Sequence, residues 1–165
     1  MGTRLQLLSK VSGPMVSGEL SSASVFYVSE APPDPRMFAE EIDIVPKMPA
    51  NFQAALKSSK WKDRKEALDE LLTLVSATPR IKEASDLGEL ARSLATCVQK
   101  DANINCVMVA ANCLEGLAKG LMQGFARYRE SVVPLMLERL KERKVNVTDA
   151  IGNALDAVFA SVSWF

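Results

Sequence analysis

The sequence predicts an all-α protein, a short α-solenoid in which helical pairs stack side by side behind an irregular N-terminal tail. Two observations lead to this fold class. After about residue 50 apolar residues recur at helical spacing, and no segment keeps the alternating period of a strand. The helical segments also come in pairs at a nearly constant interval, which is the signature of a stacked array. With 165 residues, 48% of them hydrophobic, the chain has room for one domain and a tail.

Six helical segments follow Pro49. They are predicted at about residues 51–57, 62–77, 86–99, 103–119, 125–141 and 146–161. Asp86 with Glu89 three residues later predicts a capping box for the third segment. Gly120 is expected to open the turn before the fifth segment, and Pro134 predicts a kink in that segment.

The second helices of the three pairs can be laid over one another. Their apolar residues form three columns: Ala67, Ala110 and Ile151; Leu71, Leu114 and Leu155; Leu74, Leu117 and Val158. The offsets of about 43 and 41 residues are typical of HEAT-like helical pairs. The sequence therefore predicts three HEAT-like repeats, at about 50–78, 85–120 and 124–161, within a domain at 37–165.

The N-terminal part differs in composition from the repeats. Residues 1–36 are rich in Ser, Gly and Pro and end in Ala31-Pro32-Pro33-Asp34-Pro35, which favours an irregular tail or linker. Residues 40–48 then alternate acidic and apolar side chains, and we expect them to lie extended over the first repeat. The N-terminus carries no signal-peptide pattern and no stretch of membrane-spanning length, so we expect a cytoplasmic protein.

Charge and residue content argue against several functions. Twenty basic residues balance twenty acidic ones, so no overall charge points to nucleic acid or a membrane surface. The chain has no histidine, no CxxC pair and no nucleotide-binding glycine motif, which argues against an enzyme and against a cofactor or metal site. Cys97, Cys106 and Cys113 have apolar neighbours and are expected to be reduced core thiols.

Three helix junctions recur at even spacing and could lie along one edge of the array. Trp61, between Lys60 and Lys62 in the first junction, is either a lid folded over Leu68 or a contact for a partner. In the second junction Asn103 is expected to cap the next helix. The third junction carries a basic cluster, which is either a solvated helix end or the rim of an interface; its members are Lys141, Arg143 and Lys144.

The chain resembles a known family over about residues 38–162. The resemblance is carried by Lys60-Trp61-Lys62-Asp63-Arg64-Lys65-Glu66-Ala67-Leu68, Lys100-Asp101-Ala102-Asn103, Cys113-Leu114-Glu115-Gly116-Leu117-Ala118, Val132-Val133-Pro134 and Leu140-Lys141-Glu142-Arg143-Lys144. In this order they are similar to the second TOG domain of the microtubule polymerases, a paddle of six HEAT repeats whose intra-repeat loops grip tubulin with one thin edge.

The resemblance implies a function and a site. It implies a module that binds αβ-tubulin without a cofactor, promotes growth at microtubule plus ends and serves spindle organisation at the cytoskeleton and microtubule-organising centre. The implied contacts are Trp61 with Lys60, Asn103 with Ile104, and Lys144 with Arg143, all on the half of the paddle that faces β-tubulin. There are two alternative hypotheses. One is a generic helical-repeat adaptor, and the other is a nucleic-acid binder, which the zero net charge disfavours.

The chain stops at Ser163-Trp164-Phe165, where the family continues with further repeats. The resemblance implies that the fourth and fifth contact loops are missing, and the length indicates a fragment. Because each repeat covers its neighbour, we expect the last helix to leave an apolar surface bare around Ile151, Leu155, Val158 and Phe159.

Overall fold

The computed structural model describes residues 35–141 and 143–161; the tail predicted at 1–36 lies outside them except for its last two residues. Within this part of the chain there are six α-helices: α1 Phe52–Leu56, α2 Trp61–Ser76, α3 Asp86–Lys100, α4 Ile104–Leu121, α5 Arg129–Arg139 and α6 Val145–Ser161. Short 3-10 helices lie at Pro35–Phe38, Val45–Lys47 and Met122–Tyr128. The all-α prediction is confirmed. None of the described helices combines the length and hydropathy needed to cross a bilayer.

The helices form two layers. Helices α2, α4 and α6 pack side by side in one layer, while α3 packs against α5 in the other, and each pair packs across the layers as α1 on α2, α3 on α4 and α5 on α6. The three predicted columns fall in the first layer, where eight of their nine residues are buried and Leu74 is half-buried. Burying a large aliphatic side chain stabilises the fold by about 1.5–3 kcal/mol, so these columns hold the stack together.

Two glycines let α4 pass very close to its neighbours. A Cβ atom at Gly116 would lie 2.7 Å from Cγ2 of Val75, and one at Gly120 would lie 2.5 Å from Cδ1 of Ile81. The Ile81 backbone N–H also donates to the Gly120 carbonyl at 2.9 Å. Both glycines are thus required by close packing.

The turn after α4 differs from the prediction. Gly120 remains helical, and Met122 instead takes a positive φ of 56°, with ψ −127°. Residues Met122–Tyr128 form a 3-10 helix, so α5 begins at Arg129 and not near Phe125. The reason is local packing: Phe125 and Tyr128 are both buried and pack edge to face with ring centroids 5.8 Å apart, and a spacing of three suits the 3-10 turn. Pro134 lies inside α5, and the kink there stays a prediction.

The capping box predicted at Asp86 is wrong. Helix α3 has Ser85 at its N-cap, and neither this residue's side chain nor a reciprocal box closes the first turn. Ser85 already has helical backbone angles, φ −61° and ψ −31°, whereas a capping side chain requires the extended conformation. Asp86 and Glu89 lie within the first turn, where their charges still favour the helix dipole.

The acidic lead-in packs mainly on the connection between the first two repeats. Ile42 forms a parallel bridge with Ile81, donating to the Arg80 carbonyl at 3.1 Å and accepting from the Lys82 N–H at 2.8 Å. Ile44, two residues later, is fully buried in the core. The expectation of an extended segment holds at the bridge, and the 3-10 turn at Val45–Lys47 follows it.

The prediction that α6 leaves an apolar surface bare is wrong for three of the four residues named. Ile151 and Val158 are fully buried and Leu155 nearly so, while Phe159 is 45% exposed. Because α6 packs along α4, its apolar stripe faces inward. Phe159 follows Val158 and is therefore turned about 100° away from that stripe.

Candidate functional site

The three loops that join the helices within each pair lie at 57–60, 101–103 and 140–144, and Glu142 in the third is outside the described residues. They immediately precede α2, α4 and α6, the three helices of one layer. We call the described residues of these loops, with the first residue of each following helix, the loop edge. Hydrogen bonds between the repeats hold its parts together.

Arg64 ties the first loop to the second. Its Nε donates to Oδ2 of Asp101 at 2.9 Å and its Nη2 to Oδ1 at 3.0 Å, so the ion pair is bidentate. The third nitrogen, Nη1, donates to the Ser58 carbonyl at 2.8 Å. Both charged side chains are well covered, at 17% and 4% exposure, so solvent screens this pair less than a surface pair.

Asp101 is the centre of this network. Its Oδ1 also accepts from the Asn103 backbone N–H at 2.8 Å, and its Oδ2 accepts a weak bond from the Cys97 thiol at 3.6 Å. Burial raises the pKa of Asp101, but the hydrogen bonds from Arg64 and from the Asn103 backbone outweigh it, and the net pKa lies below the ordinary value. The hydrogen bond to Asp101 likewise raises the pKa of Arg64. Both groups are charged at neutral pH.

Arg139 attaches the third repeat to the same centre. Its Nη1 donates to the backbone carbonyl of Asp101 at 2.9 Å and to that of Gln99 at 3.2 Å. The Gln99 side-chain amide in turn donates to Oε1 of Glu138 at 3.0 Å. One residue, Asp101, therefore contacts Arg64 with its side chain and Arg139 with its backbone, which links all three loops.

In the first loop, Trp61 is the first residue of α2 and is 36% exposed, as expected of a residue on the edge. The ammonium of Lys62 lies 6.0 Å from the centre of its ring, and Lys60 is exposed beside it. The Ser58 hydroxyl accepts from the Lys60 N–H at 3.1 Å and donates to Asp63 at 3.1 Å, so the loop is internally bonded.

The second loop confirms the cap predicted at Asn103. The Asn103 side chain accepts from the Asn105 N–H at 2.9 Å, and its backbone is extended, as an N-cap requires. Ile104 is half-buried and packs against the core with part of its side chain.

The third loop is the most exposed. Arg143 and Lys144 are both exposed, and the Lys144 carbonyl accepts from the Val147 and Thr148 N–H groups at 3.1 Å each, which starts α6. Val145, the first residue of α6, is 67% exposed, so most of its apolar side chain is open to solvent.

Val145 completes a pattern that sequence reasoning missed. The first residues of α2, α4 and α6 are Trp61, Ile104 and Val145, so each loop ends in a large apolar side chain. Their offsets, about 43 and 41 residues, equal those of the three core columns, and this register was the signal that could have found Val145. The loop edge thus presents an apolar row flanked by Lys60, Lys62 and Lys144.

Among the described residues, no group of three or more acidic or thiol side chains could hold a metal ion. Cys106 and Cys113 are buried as predicted, whereas Cys97 is half-buried. Burial raises the pKa of all three thiols, that of Cys97 to about 12, so they are protonated at neutral pH and poor nucleophiles.

Comparisons with known proteins identify this architecture. No family model matches the chain. The chain is 40% identical over 156 residues to the spindle pole body component alp14 of Schizosaccharomyces pombe, covering 92% of this chain and 19% of that protein. A chain solved in work on microtubule plus-end tracking by XMAP215, CLIP-170 and EB1 matches with a TM-score of 0.72 at 40% identity, over 75% of this chain and 51% of that one.

A second solved structure decides the family. It comes from work on tubulin recruitment and assembly by microtubule polymerases with Tumor Overexpressed Gene (TOG) domain arrays, and it matches with a TM-score of 0.71 at 40% identity over 76% of this chain. The chain belongs to the TOG-domain family. It covers 26% of that structure and 6–19% of three relatives that are 40% identical to it, so this TOG module corresponds to a small part of much longer proteins.

Proposed function

We propose that this TOG module binds αβ-tubulin through the loop edge. The contacts are the six residues predicted from the sequence and the one that the register adds: Lys60, Trp61, Asn103, Ile104, Arg143, Lys144 and Val145. The observation that carries the proposal is the apolar row of Trp61, Ile104 and Val145 at one position of three successive repeats, with exposed lysines beside it. The solved relative concerned with tubulin recruitment by TOG arrays supports the same partner.

The geometry suits recognition of a large acidic protein surface. An aromatic side chain and two branched aliphatic ones provide contact area with few rotatable bonds, and such residues dominate interface free energies. The lysines at the rim steer an acidic partner and fix its register more than they add affinity. Because the Asp101 network already holds the loops in place, little conformational entropy is lost on binding.

The module acts by binding and not by catalysis. It holds free tubulin near a growing microtubule end and uses no cofactor. Within the family it corresponds to the first repeats of the second TOG domain, on the side that faces β-tubulin. In a longer protein it promotes microtubule growth and spindle organisation in the cytoplasm, at the cytoskeleton and the microtubule-organising centre, with neither nucleic acid nor membrane as a partner.

Co-elution with tubulin tests the proposal. In size-exclusion chromatography the chain should shift to the volume of a tubulin complex, and Trp61→Ala should weaken binding by about 2 kcal/mol or more while helical content is kept. Phe159→Ala is the matched control, since this aromatic is 45% exposed near the other end of α6. Equal effects of the two substitutions would count against Trp61 as a tubulin contact. A Trp61→Ala variant that unfolds, while its residual folded fraction binds normally, would favour the alternative in which Trp61 is a lid over Leu68. A wild-type chain that does not co-elute with tubulin would favour an adaptor with another partner.

A further inference from the structure

A groove of about 680 Å³ runs between α1 and α3, in the helix layer opposite α4 and α6. The Ser93 hydroxyl and the Gln53 side chain, 3.3 Å apart, bridge the two helices, so the groove has defined walls. Leu56 and Cys97, both half-buried, contribute apolar surface. The groove borders the loop edge at Lys57, Asp101 and Ala102, but none of the seven residues proposed to contact tubulin lines it.

The groove is positively charged. Lys57, Arg92 and Lys100 line it, are exposed, and form no ion pair within residues 35–141 and 143–161. Arg64 and Asp101 also line it but neutralise each other through their bidentate pair. Glu89 is the remaining carboxylate. Three uncompensated cations therefore face one anion, in a chain whose net charge is zero.

The spacing of the cations suits a linear ligand. Arg92 and Lys100 are eight residues apart on α3, which is about 12 Å along the helix axis. An extended peptide of about four residues covers that distance at roughly 3.3 Å per residue, so its side chains can reach both cations at once. Lys57 lines the groove from the α1 side.

The lining also distinguishes peptide from nucleic acid. No lining residue in the described part of the chain is aromatic, so bases would find no stacking platform. Glu89 lies three residues before Arg92 and disfavours negative charge of any ligand at that end of the groove. Leu56 and Cys97 instead offer contacts to an apolar side chain within an acidic segment.

We propose that this groove binds an acidic peptide segment, with its carboxylates toward Lys57, Arg92 and Lys100 and an apolar side chain on Leu56. The surface is a second one, formed by residues other than the seven proposed to contact tubulin. Its partner is an acidic, extended stretch of another protein.

Fluorescence anisotropy with the full chain tests this proposal. The probe is a labelled peptide of Glu residues interrupted by one Leu, and its twin has Gln in place of Glu. At an ionic strength of about 0.05 M, where screening is weak, the acidic probe should bind and the Gln twin should not. The double reversal Lys57→Glu/Lys100→Glu should weaken binding at least about tenfold, since it replaces attraction with repulsion.

Lys82→Glu is the matched control, because Lys82 is exposed and lies outside the groove, between α2 and α3. It should leave the affinity within about twofold, and thermal melts should show that all variants fold. In the wild-type chain, amide resonances of residues 92–100 should shift with the acidic probe and those of 143–145 should not. The proposal fails if Lys82→Glu costs as much as the double reversal, if the acidic probe does not bind, or if a single-stranded oligonucleotide binds more tightly through the same two lysines.

Discussion

The guanidinium of Arg64 and the carboxylate of Asp101 form a bidentate ion pair, 2.9 and 3.0 Å long, that joins two repeats. The pair is 37 residues apart in sequence and almost covered from solvent. Arg139 binds the backbone of the same aspartate, so the arrangement of all three loops depends on this position. The contact residues lie at the edge, but the residue that fixes their relative positions lies just behind it.

Asp101→Asn should therefore destabilise the fold. The substitution keeps the shape but leaves the Arg64 charge without its partner at a site only 17% exposed. Breaking a buried pair costs about 3–5 kcal/mol, and the partial exposure here suggests roughly 2–4 kcal/mol. Urea denaturation measures the change. Asp69→Asn is the control, because the ion pair of Asp69 with Lys65 is about half exposed and should contribute under about 1 kcal/mol. Equal losses of unfolding free energy in the two variants would contradict a special role for Asp101.

The same residue predicts how stability changes in acid. The pKa of Asp101 is lowered in the folded state from an ordinary 3.8, so the unfolded chain binds the proton first as pH falls. The ion pair then contributes its full stability above the pKa that Asp101 has in the unfolded chain. This contribution is lost as the pH drops through the pKa that Asp101 has in the folded state. The difference in unfolding free energy between wild type and Asp101→Asn should be constant above about pH 5 and shrink below about pH 4. A difference that grows on acidification would refute this assignment.

The sequence was sufficient to predict the helices and their columns because apolar periodicity is strong in the layer that is buried. It misplaced the start of α5 because the spacing of Phe125 and Tyr128 fits a 3-10 turn as well as an α-helix. It also missed the positive φ of Met122, since a glycine two residues away was the better candidate by residue type.

The site was only partly predictable for a different reason. Trp61 and Asn103 were found because an aromatic among lysines and an amide before a helix are local signals. The Arg64–Asp101 pair is not local: among twenty acidic and twenty basic residues, nothing in the sequence selects one pair 37 residues apart. Val145 was missed because a valine attracts no notice until the structure places it 67% exposed in line with Trp61 and Ile104.

Reversing the charge of Lys144 should cost more tubulin affinity than truncating it. Lys144 is exposed at the start of α6, so Lys144→Ala removes only a rim attraction, typically under about 1 kcal/mol. Lys144→Glu adds repulsion from an acidic surface, and the affinity of the wild type should itself fall with added salt. Titration of labelled tubulin at two ionic strengths measures the affinity of each variant and its dependence on salt. Lys47→Glu serves as the control for net charge, because Lys47 is exposed before α1. If Lys144→Ala and Lys144→Glu bind tubulin equally well, that result would count against an electrostatic role for this loop.

Val145→Ala gives the most direct test of the apolar row, because the residue was chosen by structural register alone. In the free protein its side chain is 67% exposed, so truncation should change unfolding free energy by no more than about 0.5 kcal/mol. If tubulin covers the row, the two lost methyl groups should cost about 1–2 kcal/mol of binding, at roughly 0.8 kcal/mol for each buried carbon. Leu137→Ala is the matched control, since Leu137 is 48% exposed on α5 outside the loop edge. Binding assays on Val145→Ala, Leu137→Ala and Trp61→Ala separate the possibilities. If Val145→Ala and Trp61→Ala lose tubulin affinity and Leu137→Ala does not, the partner spans the first and third loops. A normal affinity for Val145→Ala would restrict the interface to the first two repeats.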